Sequence, residues 1–335
     1  MSHPRVIVIG ASAGGVEALR KIAADLPAQL PASVLVVVHF PPEGMSVLPQ
    51  ILQRAGPLPA SHAQDGEPLL PGRIYVAPPD RHLMVRPGHV HVTAGAKENG
   101  VRPAADPLFR SAARHYGAAV VGVVLSGNRN DGTMGLLAIR ERGGITIVQD
   151  PAEALYPGMP TSAVEHVAPD HVCRLDEIGP LLARLVAEPR EFVAGAPAHD
   201  TAESSVLSAQ TGLPEEVVEQ VPPSSFTCPE CHGALWEAEE TEMVQFRCRV
   251  GHSFTLESLL TERSGEVESA LWTALTALEE RIHLAKRLAR RMHDRGSELT
   301  ASRYEVDIRE ASESAAVLRH LLRTGRGPAI AAAGV

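Results

Sequence analysis

Apolar positions organise the first half of the chain. Residues 6–10 (VIVIG) and 34–40 (VLVVVHF) are apolar almost without interruption. Such runs are too short for helices and lack a polar face, so they predict strands buried on both sides. Similar runs follow at 73–78 (RIYVAP), 89–93 (HVHVT), 119–126 (AVVGVVLS) and 145–150 (ITIVQD). Between several of them the period changes to that of a helix, through Val16, Leu19 and Ile22, then in DPLFRSAARHYG and TMGLLAIRERGG. Buried strands alternating with helices predict a mostly parallel sheet covered on both faces, a three-layer α/β/α (Rossmann-like) domain over residues 1–189. The alternation in 73–93, with its PPD turn, predicts a hairpin there.

Past residue 189 the pattern lapses. Residues 190–225 are rich in Ala, Pro, Ser and Glu and read as a linker, with a short amphipathic piece at 214–221. A compact Cys/His module occupies 226–255. Over 256–324 two apolar stripes predict a helical hairpin turning at Gly296. One stripe runs through Leu271, Leu275, Leu278, Ile282, Ala285 and Ala289. The other runs through Tyr304, Ile308, Ala311, Ala315, Leu318 and Leu322. Residues 325–335 carry no pattern and are expected to be disordered.

Composition refines this picture only in places. The net charge is -9 over 335 residues, which does not favour a nucleic-acid partner. The charge is uneven: residues 1–189 sum to about -1 and 190–335 to about -8, so the two halves read as built for different jobs. No secretory leader and no membrane-length apolar stretch is evident, and direct membrane insertion is not expected. A cytoplasmic location is the resulting expectation.

Candidate chemistry begins at GASAGG (10–15), between the first strand and the first helix. It contains G-x-S-x-G, and a tight strand-to-helix turn lifts the Ser12 hydroxyl towards backbone N–H groups suited to an oxyanion. Two other readings stand beside it: a dinucleotide fingerprint and a capping serine. Against the fingerprint, Ser12 replaces its central glycine, and the second strand ends at His39 rather than at an acid for the ribose. His39 lies at the strand edge where ligands bind in open α/β sheets, and an imidazole beside a serine is the usual base. Asp131, in LSGNRNDG after another buried strand, is the candidate carboxylate, although N-D-G is also a plain turn signal. Asp80 and Asp150 compete by the same edge argument.

Several stretches together resemble the catalytic domain of chemotaxis protein-glutamate methylesterases (CheB): IGASAGG, VVHFPP, GRIYVAPPDRH, RPAADPLFRSAA, LSGNRNDGTMGL and QDPAEALYPGMPTSAV, spanning about residues 3–188. The resemblance implies a cofactor-free serine esterase with Ser12 as nucleophile, His39 as base and Asp131 orienting it. Its substrate would be glutamyl γ-methyl esters on a methylated chemoreceptor or related sensory protein, with glutamine deamidation as a second activity. The backbone of Ala13 and Asn128 is the expected oxyanion hole, and Arg102 a weaker candidate for substrate contact. The chain departs from the family where T-G-M-G becomes Ser126-Gly127-Asn128-Arg129, and where Ala13 stands for a Ser or Thr. It opens at the catalytic domain, so phosphorylation of a receiver in cis is not expected.

Cys228, Cys231, Cys248 and His252 form C-x₂-C-x₁₆-C-x₃-H. Thiolates and an imidazole at this spacing predict a closed, structural Zn²⁺ ribbon, with His232 an alternative fourth ligand. The hairpin beyond it is expected to serve packing or self-association. Two other functions are kept open at this point: a nucleotide binder without chemistry, and an inactive scaffold acting through the zinc and helical region.

Overall fold

In the computed structural model, residues 5–40, 46–187, 222–240 and 243–324 are described. The expected linker at 190–225 lies almost wholly outside them, as do its piece at 214–221 and the tail at 325–335. The chain divides into two compact units, Met1–Leu259 and Leu260–Val335.

The first unit is built on a seven-stranded sheet whose pairings are all parallel, in the order β3-β4-β2-β1-β7-β8-β9. Its strands are β1 (Arg5–Ala11), β2 (Ala32–Val38), β3 (Ala60–His62), β4 (Arg73–Val76), β7 (Val120–Val124), β8 (Ile145–Gln149) and β9 (His171–Cys173). The unbroken apolar runs explain why the sheet is covered on both sides. In β1, Ile7 and Ile9 join one core while Val6 and Val8 join the other; in β2, Val34 and Val36 part from Leu35 and Val37 in the same way. One core is closed by α1 (Gly15–Asp25), α2 (Leu48–Ala55) and α6 (Leu175–Ala187). The other is closed by α3 (Ala105–Tyr116), α4 (Thr133–Glu141) and α5 (Gly158–Val167). The three-layer expectation therefore holds.

One detail differs from it. The 73–93 stretch is not a single hairpin: β4 pairs in parallel with β2 and β3, and only β5 (His82–Arg86) and β6 (His89–Thr93) form an antiparallel pair. The alternation in RIYV reflects burial on two faces, since Ile74 and Val76 face one core and Tyr75 the other.

From β1 the chain steps outward through β2 on one side, and from β7 outward through β8 and β9 on the other. The order thus reverses between β1 and β7, which creates a crevice at their carboxyl ends.

The Cys/His module folds as an antiparallel three-stranded sheet, β10 (Leu235–Glu240), β11 (Met243–Cys248) and β12 (Ser253–Thr255). Its buried apolar cluster is small: Leu235, Phe246, Phe254 and Leu259 with Cys228 and Cys248. Helix α7 (Leu256–Asp294) follows, and Gly296, at φ +70°, turns the chain into α8 (Glu298–Thr324). Within the second unit Leu275, Ala285 and Ala289 of α7 and Ala301, Ala311 and Ala315 of α8 are buried. Arg281–Asp307 (3.0 Å) and Arg319–Glu279 (2.6 Å) tie the two helices together.

Candidate active site

The parallel register brings the sequence candidates to one edge. Ala11 pairs with Val38 across β1 and β2, so Ser12 and His39 are the next residues on neighbouring strands. The ladder continues past the strand ends: the His39 amide donates to the Ala11 carbonyl (3.3 Å) and the Ser12 amide to the Ser126 carbonyl (3.0 Å). The Leu125 amide donates to Gly10 (2.9 Å), which draws the loop after β7 to the same edge.

That loop carries Asp131, which is buried, and its Oδ2 lies 2.6 Å from His39 Nε2. A carboxylate accepts, so Nε2 carries the proton and Nδ1 is the ring nitrogen left to act as base. The first turn of α3 holds the carboxylate as well: the Ala105 amide donates to Oδ2 (2.6 Å) and the Asp106 amide to Oδ1 (3.2 Å). Burial pushes Asp131 upward, but the His39 hydrogen bond and charge, with the two amides, outweigh it. Its pKa lies below the usual carboxylate value. The helix N-terminus favours the same ionised state. A buried carboxylate that orients an imidazole, with a serine at the matching end of the neighbouring strand, is the set that acyl transfer uses.

The rival carboxylates are engaged elsewhere. Asp80, at φ +53°, accepts from Arg102, and Asp150 accepts the Ala152 amide within its own turn. Arg102 is held in the same way. Its Nε and Nη2 meet Asp80 Oδ1 (2.9 and 2.7 Å), and its Nη1 donates to the carbonyls of Ala94 and Gly95. These contacts tie the loop that leads into α3.

The loop after β7 is packed tightly under the serine. Gly127 donates to the Tyr156 carbonyl (2.9 Å) and accepts from the Met159 amide (2.9 Å). A Cβ there would lie against the Met159 sulfur and 2.8 Å from Ser12 Cβ, so only glycine fits. Gly14, at φ +76°, starts α1 in a left-handed conformation, and a Cβ on it would meet Ser126 Oγ at 2.8 Å. The Ser126 hydroxyl donates to the Ala13 carbonyl (2.8 Å) and accepts from the Tyr156 amide (3.0 Å). Arg129, where the resembling family has glycine, keeps a left-handed φ of +66°, and its Nη1 donates to the Asn99 carbonyl (3.2 Å).

Two functional neighbours escaped the sequence reading. Asp106 is fully buried beside Asp131, and burial together with that charge raises its carboxyl well above the usual value. Its only signal was an acid in the first turn of a helix. His82, also buried, accepts the Ala104 amide at Nδ1 (3.2 Å) and donates from Nε2 to the Ala96 carbonyl (2.9 Å). It thereby fixes the start of α3, and burial lowers its pKa.

A second site lies in the ribbon. One ligand atom from each of Cys228, Cys231, Cys248 and His252 falls within 4.8 Å of all the others. Two tight turns build it, closed by Cys228–Gly233 (2.7 Å) and Cys248–His252 (3.0 Å) backbone bonds. Sγ of Cys231 and Cys248 are 3.7 Å apart, and His252 Nδ1 is 3.6 and 3.5 Å from Cys228 and Cys248. Tetrahedral coordination with metal–sulfur bonds of about 2.3 Å and metal–nitrogen bonds of about 2.0 Å demands edges of roughly 3.8 and 3.6 Å. The four residues therefore fit a metal ion. His232 is exposed and stands apart from the set. Without an ion, burial pushes the Cys228 thiol up to about 12.

Residues 7–182 match the family described as CheB methylesterase. The chain is 44% identical over 160 residues to protein-glutamate methylesterase/protein-glutamine glutaminase 4 of Myxococcus xanthus, covering 48% of this chain and 45% of that protein. It is 45% identical over 181 residues to the enzyme numbered 3 of Anaeromyxobacter dehalogenans, covering 53% of each. The crystal structure of the Thermotoga maritima CheB methylesterase catalytic domain is similar at 35% identity and a TM-score of 0.52, covering 55% of this chain and 99% of that one. The chain spans about half the length of the curated relatives it matches. On a matched segment that holds the edge with Ser12, His39 and Asp131, the chain belongs to the CheB methylesterase family.

Proposed function

We propose that this protein is a protein-glutamate methylesterase that hydrolyses glutamyl γ-methyl esters on a methylated chemoreceptor or related sensory protein. The observation that carries the reading is the 2.6 Å bond between His39 and buried Asp131, one strand from Ser12. His39 Nδ1 takes the Ser12 proton as Oγ attacks the ester carbonyl, and Asp131 holds the tautomer and steadies the imidazolium. The Ala13 and Asn128 amides receive the oxyanion. The imidazolium protonates the leaving methoxide, and methanol departs. Water then gives its proton to His39 and attacks the glutamyl-enzyme, which frees the carboxylate and Ser12. Attack on a glutamine side chain would release ammonia by the same steps, in line with the glutaminase named in the relatives.

Arg102 serves the loop before α3, with substrate contact a secondary part. The ribbon ion is zinc, which suits three thiolates and one imidazole with no open position, and its part is structural. No described helix is long and apolar enough to cross a membrane, in keeping with a cytoplasmic enzyme. Self-association through α7 and α8 is supported by the exposed Trp272, Leu284, Leu288 and Val317. Methanol release from a methylated receptor tests the function: turnover by the wild type and its loss in Ser12→Ala and His39→Ala support it. Retained turnover in Ser12→Ala refutes it.

A further inference from the structure

Asn130 directly precedes Asp131 and is buried, as are Asn99, Asp106, Thr255 and Ser258. Together with the Asp106 amide, these side chains close a hydrogen-bonded ring that passes through the Asp131 carboxylate. Asn130 Nδ2 donates to Thr255 Oγ1 (2.8 Å), and the Thr255 hydroxyl donates to Ser258 Oγ (3.0 Å). Ser258 Oγ donates to Asn99 Oδ1 (2.8 Å), and Asn99 Nδ2 donates to Asp106 Oδ2 (3.2 Å). The Asp106 amide returns to Asp131 Oδ1 (3.2 Å). Thr255 and Ser258 lie outside residues 7–182, the segment shared with the family.

The ribbon is anchored around this ring at several points. The Asn99 amide donates to the Ser253 carbonyl (2.8 Å), the Thr255 amide donates to Asn99 Oδ1 (3.2 Å), and Lys97 pairs with Glu230 (3.0 Å). Half-buried Glu98, ion-paired to Arg110, also feels the charge of Arg247 on β11. Strand β12 begins one residue after His252, so two of the metal ligands, Cys248 and His252, share one short stretch of chain with Thr255 and Ser258 of the ring. A buried side-chain network of this kind rigidifies the groups it touches and can be worth more than the sum of its single bonds.

Building on the esterase reading above, we propose that Thr255 and Asn99 are positioning residues for Asp131, and that the metal-bound ribbon braces the loop that carries it. The strained backbone of Arg129 fits this part, because such conformations persist where surroundings over-determine them. The ribbon is then a component of the active-site scaffold, and its metal affects the rate without touching substrate.

The test uses the full-length chain with its metal, as wild type, Thr255→Val and Thr255→Ser. Two readouts are taken: kcat and KM on a methylated receptor, and the far-downfield proton resonance of the His39–Asp131 hydrogen bond. Thr255→Val is expected to lower kcat roughly tenfold with KM little changed, as for a small misplacement of a catalytic group. It should also shift or broaden the resonance, and Thr255→Ser should restore both. Chelation, with metal loss counted by native mass spectrometry, should move the resonance as Thr255→Val does. An unmoved resonance in Thr255→Val, or failure of Thr255→Ser to restore it, overturns the positioning role. An unmoved resonance after verified metal loss overturns the brace. The resonance requires no turnover, so an inactive wild type, or an active Ser12→Ala, removes the esterase reading while these outcomes still decide the inference.

Discussion

The amide of Asp106 donates to the carboxylate of Asp131, so two buried acids meet at the first turn of one helix. Their ionisation is divided between them. Asp131 sits below the usual value and Asp106 well above it. Two carboxylates this close in a dry site do not both ionise readily.

This division predicts a pH-dependent cost for Asp131→Asn. The folded pKa of Asp131 is depressed, so its stabilisation is present above the unfolded value of about 3.9 and is lost as pH falls through the folded one. The variant should be about 2 kcal/mol less stable than wild type near neutrality. The gap should close in acid, and urea unfolding across a pH series measures it. Asp106 runs the other way: its raised pKa stabilises below about 3.9 and loses that contribution as pH rises.

Asp131→Asn should also lower kcat by a factor on the order of 10⁴ through the wrong imidazole tautomer. Ser12→Ala should abolish labelling by a fluorophosphonate, and both variants should retain wild-type circular dichroism.

Gly127→Ala should strike the same site by crowding. The added methyl meets the Met159 sulfur and Ser12 Cβ at once, so Ser12 must give way. A displacement of Ser12 near 1 Å costs about a hundredfold in rate. Steady-state kinetics should find that loss in kcat, together with a lower melting temperature.

His82 should make the fold sensitive to mild acid. Its pKa is lowered by burial, so stability is full above the unfolded value of about 6.5 and declines as pH falls through the folded one. His82→Gln keeps a donor for Ala96 and an acceptor for Ala104 without titrating. It should flatten the melting temperature between about pH 7 and 5, read by calorimetry.

Metal removal should unfold the ribbon sheet before the α/β sheet. Its apolar cluster is too small to hold three strands by itself, and coordination supplies the difference. Hydrogen exchange after chelation should show amide protection lost in β11 and β12 and kept in β1, β2 and β7. Cys231→Ser should reproduce the pattern.

Much of this was legible in the sequence, for reasons that differ by element. Strands β1, β2, β7 and β8 announced themselves as apolar runs, because both faces are covered. The helical stripes of α7 and α8 were equally plain. Ser12 and His39 could be placed at one edge because each directly follows a strand, and Asp131 because its loop leaves the next strand at that same edge of a parallel sheet. Short elements such as β3 and β9 have too few residues to show a period, and β4 mimicked half of a hairpin. The ring through Asn99, Asn130 and Thr255 joins residues far apart in the chain by single polar contacts. Such contacts leave no periodic trace, and N-D-G looked like a turn.

The reversal of strand order between β1 and β7 has a consequence for biosynthesis. The first strand of this sheet to be translated is central in it and must wait for residues 120–124 before its second neighbour exists. Long-range parallel pairing of this kind folds slowly and leaves apolar edges open meanwhile. The edge that holds Ser12 and His39 therefore gains its buried carboxylate only when Asp131 has been translated, and the polar ring closes only after Ser258 follows.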